Sequence, residues 1–336
     1  MTSEPTSRAP DQAGSTTQPA GGSGEARAAR ERLGLLLGLL GVLAFSLTLP
    51  MTRAAVAQLD PWFVAFGRMA LAGLIALVWL GLTRAPRPAR ADLPLLAWSA
   101  AGIVVGFPLL TSLAMQTVPA NHGAIINGAL PFATALLAAL AYGERQSVRF
   151  WACAAAGSLL VIAFALRDGV ASAGPLVTAG DALMFVAVLA GAVGYVAGGR
   201  LSARIGGVRT ILWALTLSLP LTLPLTLWLA LRQPQALAQA DAIAWGAFAY
   251  VTLISQVAGF FAWYNGLALG GIARVGQVQL LQVFFTIGFA WLLFGEEVHP
   301  ATWLFAAGVV LAIVVGRSGR ASSNSTLTST RPTRAP

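Results

Sequence analysis

The chain has 336 residues, 57% of them hydrophobic and only 10% charged, with a mean hydropathy of +0.75. A soluble domain carries about 25% charged residues, so this chain lacks the charge to cover a water-facing surface, and lipid must face most of it. The formal net charge of +9 comes entirely from arginine, with no lysine, and the arginines stand singly or in small groups between apolar runs, which excludes the single basic face of a nucleic-acid binder.

Residues 1–30 are rich in Ser, Thr, Pro, Gly and Ala without apolar periodicity, and they read as a disordered tail. A bilayer core of about 30 Å needs roughly 20 helical residues. Arg32 and Arg53 bracket 20 uncharged residues, enough for a first span, and Pro61–Leu82 gives a second, interrupted only by Arg68. Asp92 and Glu144 bracket 51 uncharged residues, too many for one span, and the stretch from Gln116 to Gly123, with Pro119 inside it, divides them into two. Further spans follow at about 150–166, 181–199, 209–231, 242–268, 272–294 and 300–316, and residues 317–336 form a second disordered tail. The expectation is an all-α integral membrane protein of ten spans.

Arginine sets the orientation, because cytoplasmic loops hold an excess of Arg and Lys. With a cytoplasmic N-terminus, the inner segments carry seventeen arginines and the outer joints only Arg53, Arg167 and Arg232. Both termini then lie in the cytoplasm. Residues 27–57 also resemble a secretory signal, with an Ala55-Val56-Ala57 cleavage pattern, but the apolar run is longer than the 7–15 residues of a signal core. Cys153 is the only cysteine, which rules out an intrachain disulfide and a multi-cysteine metal site.

The two halves repeat. Asn127–Glu144 aligns with Gln279–Glu296 at an offset of 152 residues, with Thr134/Thr286, Ala138/Ala290, Leu140/Leu292, Gly143/Gly295 and Glu144/Glu296 identical. A repeat unit of five helices is odd, so the second copy enters the membrane from the opposite side. Inverted repeats of this kind are a common construction of secondary transporters. The two five-helix halves, each with an apolar fourth helix ending in Gly-Glu, resemble the paired EamA domains of the drug/metabolite transporter superfamily. Asp60-Pro61 followed by Arg68-Met69-Ala70-Leu71-Ala72 is similar to that family's first-half pattern, and the second half departs from it in having no arginine at the place of Arg68. The resemblance covers roughly residues 33–316. It implies an EamA-like domain at 31–168 and another at 178–316, and a secondary transporter of a small organic solute across the inner membrane, with export as the expectation. It leaves the solute, the direction of transport, the coupling ion and a homodimer open.

Several polar side chains lie inside spans. Asn127, Pro131 and Thr134 share one face of the fourth helix, and Gln279 and Thr286 occupy the corresponding face of the ninth, with Gln282 close by. These stripes either line a cavity or bond helix to helix. Gln256, Phe260 and Trp263 form a face of the eighth helix, extended by Tyr264 and Asn265, that suits an amphipathic solute or an interfacial aromatic belt. Arg68 lies roughly 10 Å into the second helix, where it either meets a carboxylate of the cargo or locks helix ends together. Asp181 is the nearest candidate partner for it. Glu144 and Glu296 read as structural caps on the helices that follow them, and His122 and His299 make a weak metal signal. An intramembrane enzyme needs clustered catalytic groups, which this pattern lacks, so no enzymatic activity and no cofactor are expected. A passive channel is the alternative within the transporter class.

Overall fold

The computed structural model describes residues 21–142, 148–171, 178–270, 275 and 278–317, and the regular structure among them is all helical. In lipid, a helix satisfies its backbone N–H and C=O groups within its own segment, so a helix is the natural form for each apolar run. Seven helical stretches are long and apolar enough to cross a membrane: Ala28–Val56, Pro61–Leu82, Arg90–Ala114, Ala120–Ala141, Ala179–Ile205, Gly207–Arg232 and Ala242–Leu267. Counted by the expected spans, these are the first to fourth and the sixth to eighth; the expected fifth span falls within a helix of 24 residues, Val148–Ala171, and the ninth and tenth fall on shorter apolar helices.

The first stretch comprises α1 (Gly21–Ser46) and α2 (Thr48–Val56). Helix α1 thus starts ten residues before the end of the expected disordered tail. The run Glu25-Ala26-Arg27-Ala28-Ala29-Arg30 consists of strong helix formers, and the apolar span behind it supplies the nucleus they extend. Helix α3 (Pro61–Leu82) opens where Asp60 accepts from Phe63 N at 2.9 Å, with Pro61 preset for the first turn. The third stretch runs through α4 (Leu93–Ser99), a π-helical segment (Ala100–Gly106) and α5 (Phe107–Ala114). The fourth is broken at Gly128 and Ala129 into α6 (Ala120–Asn127) and α7 (Leu130–Tyr142), and α8 (Val148–Ala171) follows.

In the second half, Thr178 and Asp181 form a reciprocal capping box at the start of α9 (Ala179–Ile205). Gly206, at φ +87°, turns the chain directly into α10 (Gly207–Arg232), which carries Pro220 and Pro224. A short α11 (Pro234–Gln239) leads to α12 (Ala242–Ala249), a second π-helical segment (Tyr250–Gly259) and α13 (Phe260–Gly270). A 3₁₀ turn at Gln279–Leu281 precedes α14 (Gln282–Phe294), which ends on Gly295 at φ +62°. Helix α15 (Pro300–Arg317) closes the fold.

The packing pairs the two sequence halves. Helix α3 lies on α10, α1 on α13, α2 on α12, and α8 on α15, while α9 lies along α4, the first π segment, α5 and α7. Lipid gives helices no hydrophobic drive to associate, so small residues that allow close backbone contact carry much of the packing. Gly102 and Gly194 provide such a crossing. A β-carbon built on Gly102 would stand 2.4 Å from Gly194 N, and one on Gly194 would stand 2.4 Å from Ile103 N. Helices α1 and α13 meet the same way at Gly38 and Gly266.

Candidate substrate site

Arg68 and Gln256 meet. The Arg68 Nη2 donates to Gln256 Oε1 at 2.9 Å, joining α3 to the second π segment, and the two residues are only 3% and 2% exposed. Arg68 Nε and Gln256 Nε2 are both buried with no hydrogen-bond partner. An arginine at the centre of a membrane helix costs roughly 2.5–3.5 kcal/mol on insertion scales. One hydrogen bond to a charged group returns about 1.5–3 kcal/mol, and each orphaned buried donor costs about 1–3 more. This pair is therefore destabilising as it stands. Asp181 is not its counter-ion: that carboxylate holds His122 Nε2 at 2.9 Å, with both side chains buried, and accepts from the Thr178 backbone and hydroxyl.

The two polar stripes also come together. Asn127, Pro131, Gln279 and Gln282 line one small cleft of about 20 Å³, roughly the room of one water molecule, between the α6–α7 break and the 3₁₀ turn before α14. The breaks recur at corresponding places, Gly128–Ala129 after Asn127 and the 3₁₀ turn that begins at Gln279. Asn127 Oδ1 is buried without a hydrogen-bond partner, and the Gln279 side chain pairs with Tyr195 of α9. Thr134 lies deeper on α7 and returns its hydroxyl to Leu130 O at 2.8 Å, and Thr286 is buried on α14; neither lines the cleft. Trp263 is buried edge-on to Phe45, with ring centroids 6.4 Å apart, and Phe260 lies 5.0 Å from the same ring. The aromatic face of the eighth stretch is thus turned to α1, as is the Tyr250 hydroxyl, which donates to Ala44 O at 3.1 Å. Tyr264 is buried and stacks on Phe260, while Asn265 is exposed.

Glu296 caps a helix, though not the one after it. Its two carboxylate oxygens accept from Ala120 N and Asn121 N, each at 2.9 Å, at the first turn of α6 in the other half, and Arg53 Nε stands 3.4 Å away. Asn121 Nδ2 returns a bond to Glu297 O. The joint after α14 and the fourth stretch belong to opposite halves, so the cap ties one half to the other. A cleft of about 790 Å³ opens beside it, bounded by Arg53, Asn121, Trp291, Glu296 and His299. Glu144 lies outside the described residues. Among the described residues no cluster of His, Cys, Asp and Glu suits a metal.

A family model for EamA-like transporters matches residues 32–167 and again 178–316, which together take in most of the chain. The chain belongs to the EamA-like transporter family. An uncharacterised transporter of Bacillus subtilis (strain 168), YdeK, is 44% identical over 284 residues, covering 84% of this chain and 96% of that one. An uncharacterised transporter of Synechocystis sp., sll0355, is 24% identical over 284 residues, covering 78% and 82%. One solved crystal structure matches with a TM-score of 0.55 over 85% of this chain and 98% of its own, at 16% identity, a likeness of fold alone. This EamA-like chain is thus a multi-pass membrane protein of a transporter family. Sequence reasoning missed Tyr195 as the link between Gln279 and the aromatic cluster, and the His122–Asp181 pair. Each pair joins α9 to an element distant along the chain, and no residue spacing marks either one.

Proposed function

We propose that the protein is a secondary carrier that exports a small organic solute across the inner membrane by alternating access. In this reading the ten spans form two inverted five-helix repeats with both termini in the cytoplasm. The observation that carries it is the shared cleft of Asn127 and Gln279. These residues are related by the repeat offset: Asn127 is the last residue of α6, before the break at Gly128–Ala129, and Gln279 opens the 3₁₀ turn ahead of α14. Broken helices facing each other across a repeat axis are how carriers build midplane sites. The recurrence of a π-helical segment in the third and eighth stretches, and the pairing of α3 with α10 and α8 with α15, support the same symmetry. In this reading the direction is export. Arg68, Thr134, Gln256, Trp263 and Thr286 would contact the solute as the halves part, with Asn127 and Gln279 forming the walls.

Cysteines at 127 and 279, each in a Cys153→Ala background, test this reading in right-side-out and inverted vesicles. Both should react with a small membrane-impermeant thiol reagent from each side, whereas a cysteine at lipid-facing Leu140, 71% exposed, should not. Two cysteines that stay unreactive from both sides would make the stripes interhelical packing and place the site elsewhere. Flux that saturates and shows counterflow separates a carrier from a channel.

A further inference from the structure

The geometry points to a cargo that bears a carboxylate, received by Arg68 and Gln256 at the seam between the two family segments. The inference rests on the carrier reading and adds the charge and chemical class of the solute.

Arg68 brings a full positive charge into the bundle and meets only the neutral carbonyl oxygen of Gln256. Five of the described carboxylates are committed elsewhere, and Glu297 is exposed. Asp60 caps α3, Asp92 holds Arg204 at 2.8 Å, Asp181 holds His122, Asp241 holds Gln58 at 2.7 Å, and Glu296 caps α6. Two donors in the pair, Arg68 Nε and Gln256 Nε2, are buried without an acceptor. The Gln256 acceptor is already spent on Arg68. The pair thus has a surplus of one charge and two N–H groups, and a carboxylate supplies both the charge and the acceptor oxygens.

The guanidinium has the flat fork that matches a carboxylate. A phosphate near neutral pH carries close to two negative charges, which a lone arginine in a chain without lysine would leave half-balanced. A monoanion fits better. The surroundings along the chain are apolar: Phe260 and Trp263, one and two turns beyond Gln256, pack edge-on against Phe45 of α1, so the solute would have to part that packing. An acid with an aromatic or aliphatic body matches both parts. Gln256 also stands in a π-helical segment, a distortion that recurs at functional sites.

The test uses the purified full chain in detergent, with benzoate as probe, benzamide as its uncharged counterpart and sodium chloride as a control for a simple anion. Benzoate should raise the melting temperature saturably, and benzamide and chloride should not. Arg68→Gln should raise the half-saturating benzoate concentration at least about tenfold. A second variant covers the case in which Arg68→Gln folds poorly. Gln256→Glu places a carboxylate beside Arg68, so it should melt above the wild type and lose its response to benzoate. Equal protection by benzamide or chloride, a Gln256→Glu variant that binds benzoate like the wild type, or no protection by benzoate, phenylacetate and hexanoate alike would each overturn the proposal. Binding is read here without transport, so its failure leaves the cysteine test of alternating access standing, and failure of that test leaves benzoate binding to be judged on its own.

Discussion

Gly194 offers a direct measure of how closely α9 is held to the third stretch. Replacing it with alanine puts a β-carbon 2.4 Å from Ile103 N, 2.7 Å from Ile103 Cβ and 3.0 Å from the Gly102 carbonyl carbon. Ordinary contact begins at 3.4 Å, so the helices must part by 1.0 Å. Two of the three obstacles are backbone atoms, which no rotamer change can move. A radial gap of about 0.5–1 Å forfeits a quarter to a half of each dispersion contact it opens, and α9 packs on α4, the π segment, α5 and α7 as well. Overpacking costs about 1–3 kcal/mol where side chains can adjust, and here the upper end is expected. Gly199 lies on the same helix with nothing within 4 Å of its built β-carbon. Alanine there should stabilise by up to about 1 kcal/mol through helix propensity alone. Melting of the detergent-solubilised protein, followed by size-exclusion chromatography after heating, should therefore shift in opposite directions. At about 2–4 °C per kcal/mol, Gly194→Ala should lose at least about 5 °C and Gly199→Ala should lose none. If the two variants melt within about 1 °C of each other, the close backbone crossing is not what holds these helices.

Glu296→Ala should destabilise by about 2 kcal/mol, since two amides of α6 lose a charged acceptor, with Glu296→Gln costing about half as much; a thermal melt that does not move would refute the cross-half cap. Arg53→Ala should cost less than Glu296→Ala in the same assay, because the Arg53 side chain is 37% exposed and its ion pair is screened by water. Reporter fusions after residues 90, 145, 205 and 274 should report cytoplasm, and those near 57, 118, 173, 236 and 298 should report the outside. A cytoplasmic report at 118 or 298 would refute the ten-span path.

Composition made the membrane class legible, and arginine spacing with the 152-residue offset made the two halves legible, because lipid solvent and helix length constrain a sequence strongly. The meeting of Asn127 and Gln279 was readable for the same reason: a repeat carries long-range geometry that a single helix does not. The partner of Arg68 was not readable. Gln256 was marked as part of an aromatic face, and only the packing of α3 against the eighth stretch brings its carbonyl oxygen to Arg68. The Glu296 cap shows a similar limit. The sequence places an acid at a helix end, but the nearest N-terminus along the chain, at Pro300, is not the nearest in space. The π segments left no mark that residue pattern reveals, since Ala100–Gly106 and Tyr250–Gly259 read as ordinary apolar helix.

Those π segments give this fold an unusual tolerance of insertions and deletions. In an α-helix one residue adds only about 1.5 Å of length but roughly 100° of rotation. A π turn closes its bonds one residue further along, so it absorbs an extra residue while the helix still spans the same thickness of lipid. The eighth stretch uses this freedom to keep α12 on α2 and α13 on α1 along a single path. Loss of one codon within Tyr250–Gly259 would tighten the π segment towards an α-helix and leave Phe260, Trp263 and Tyr264 near their present faces, whereas the same loss within α12 would turn every residue beyond it by about 100°. A lineage built on this scaffold can therefore gain or lose a residue inside this crossing without rebuilding the aromatic face beyond it.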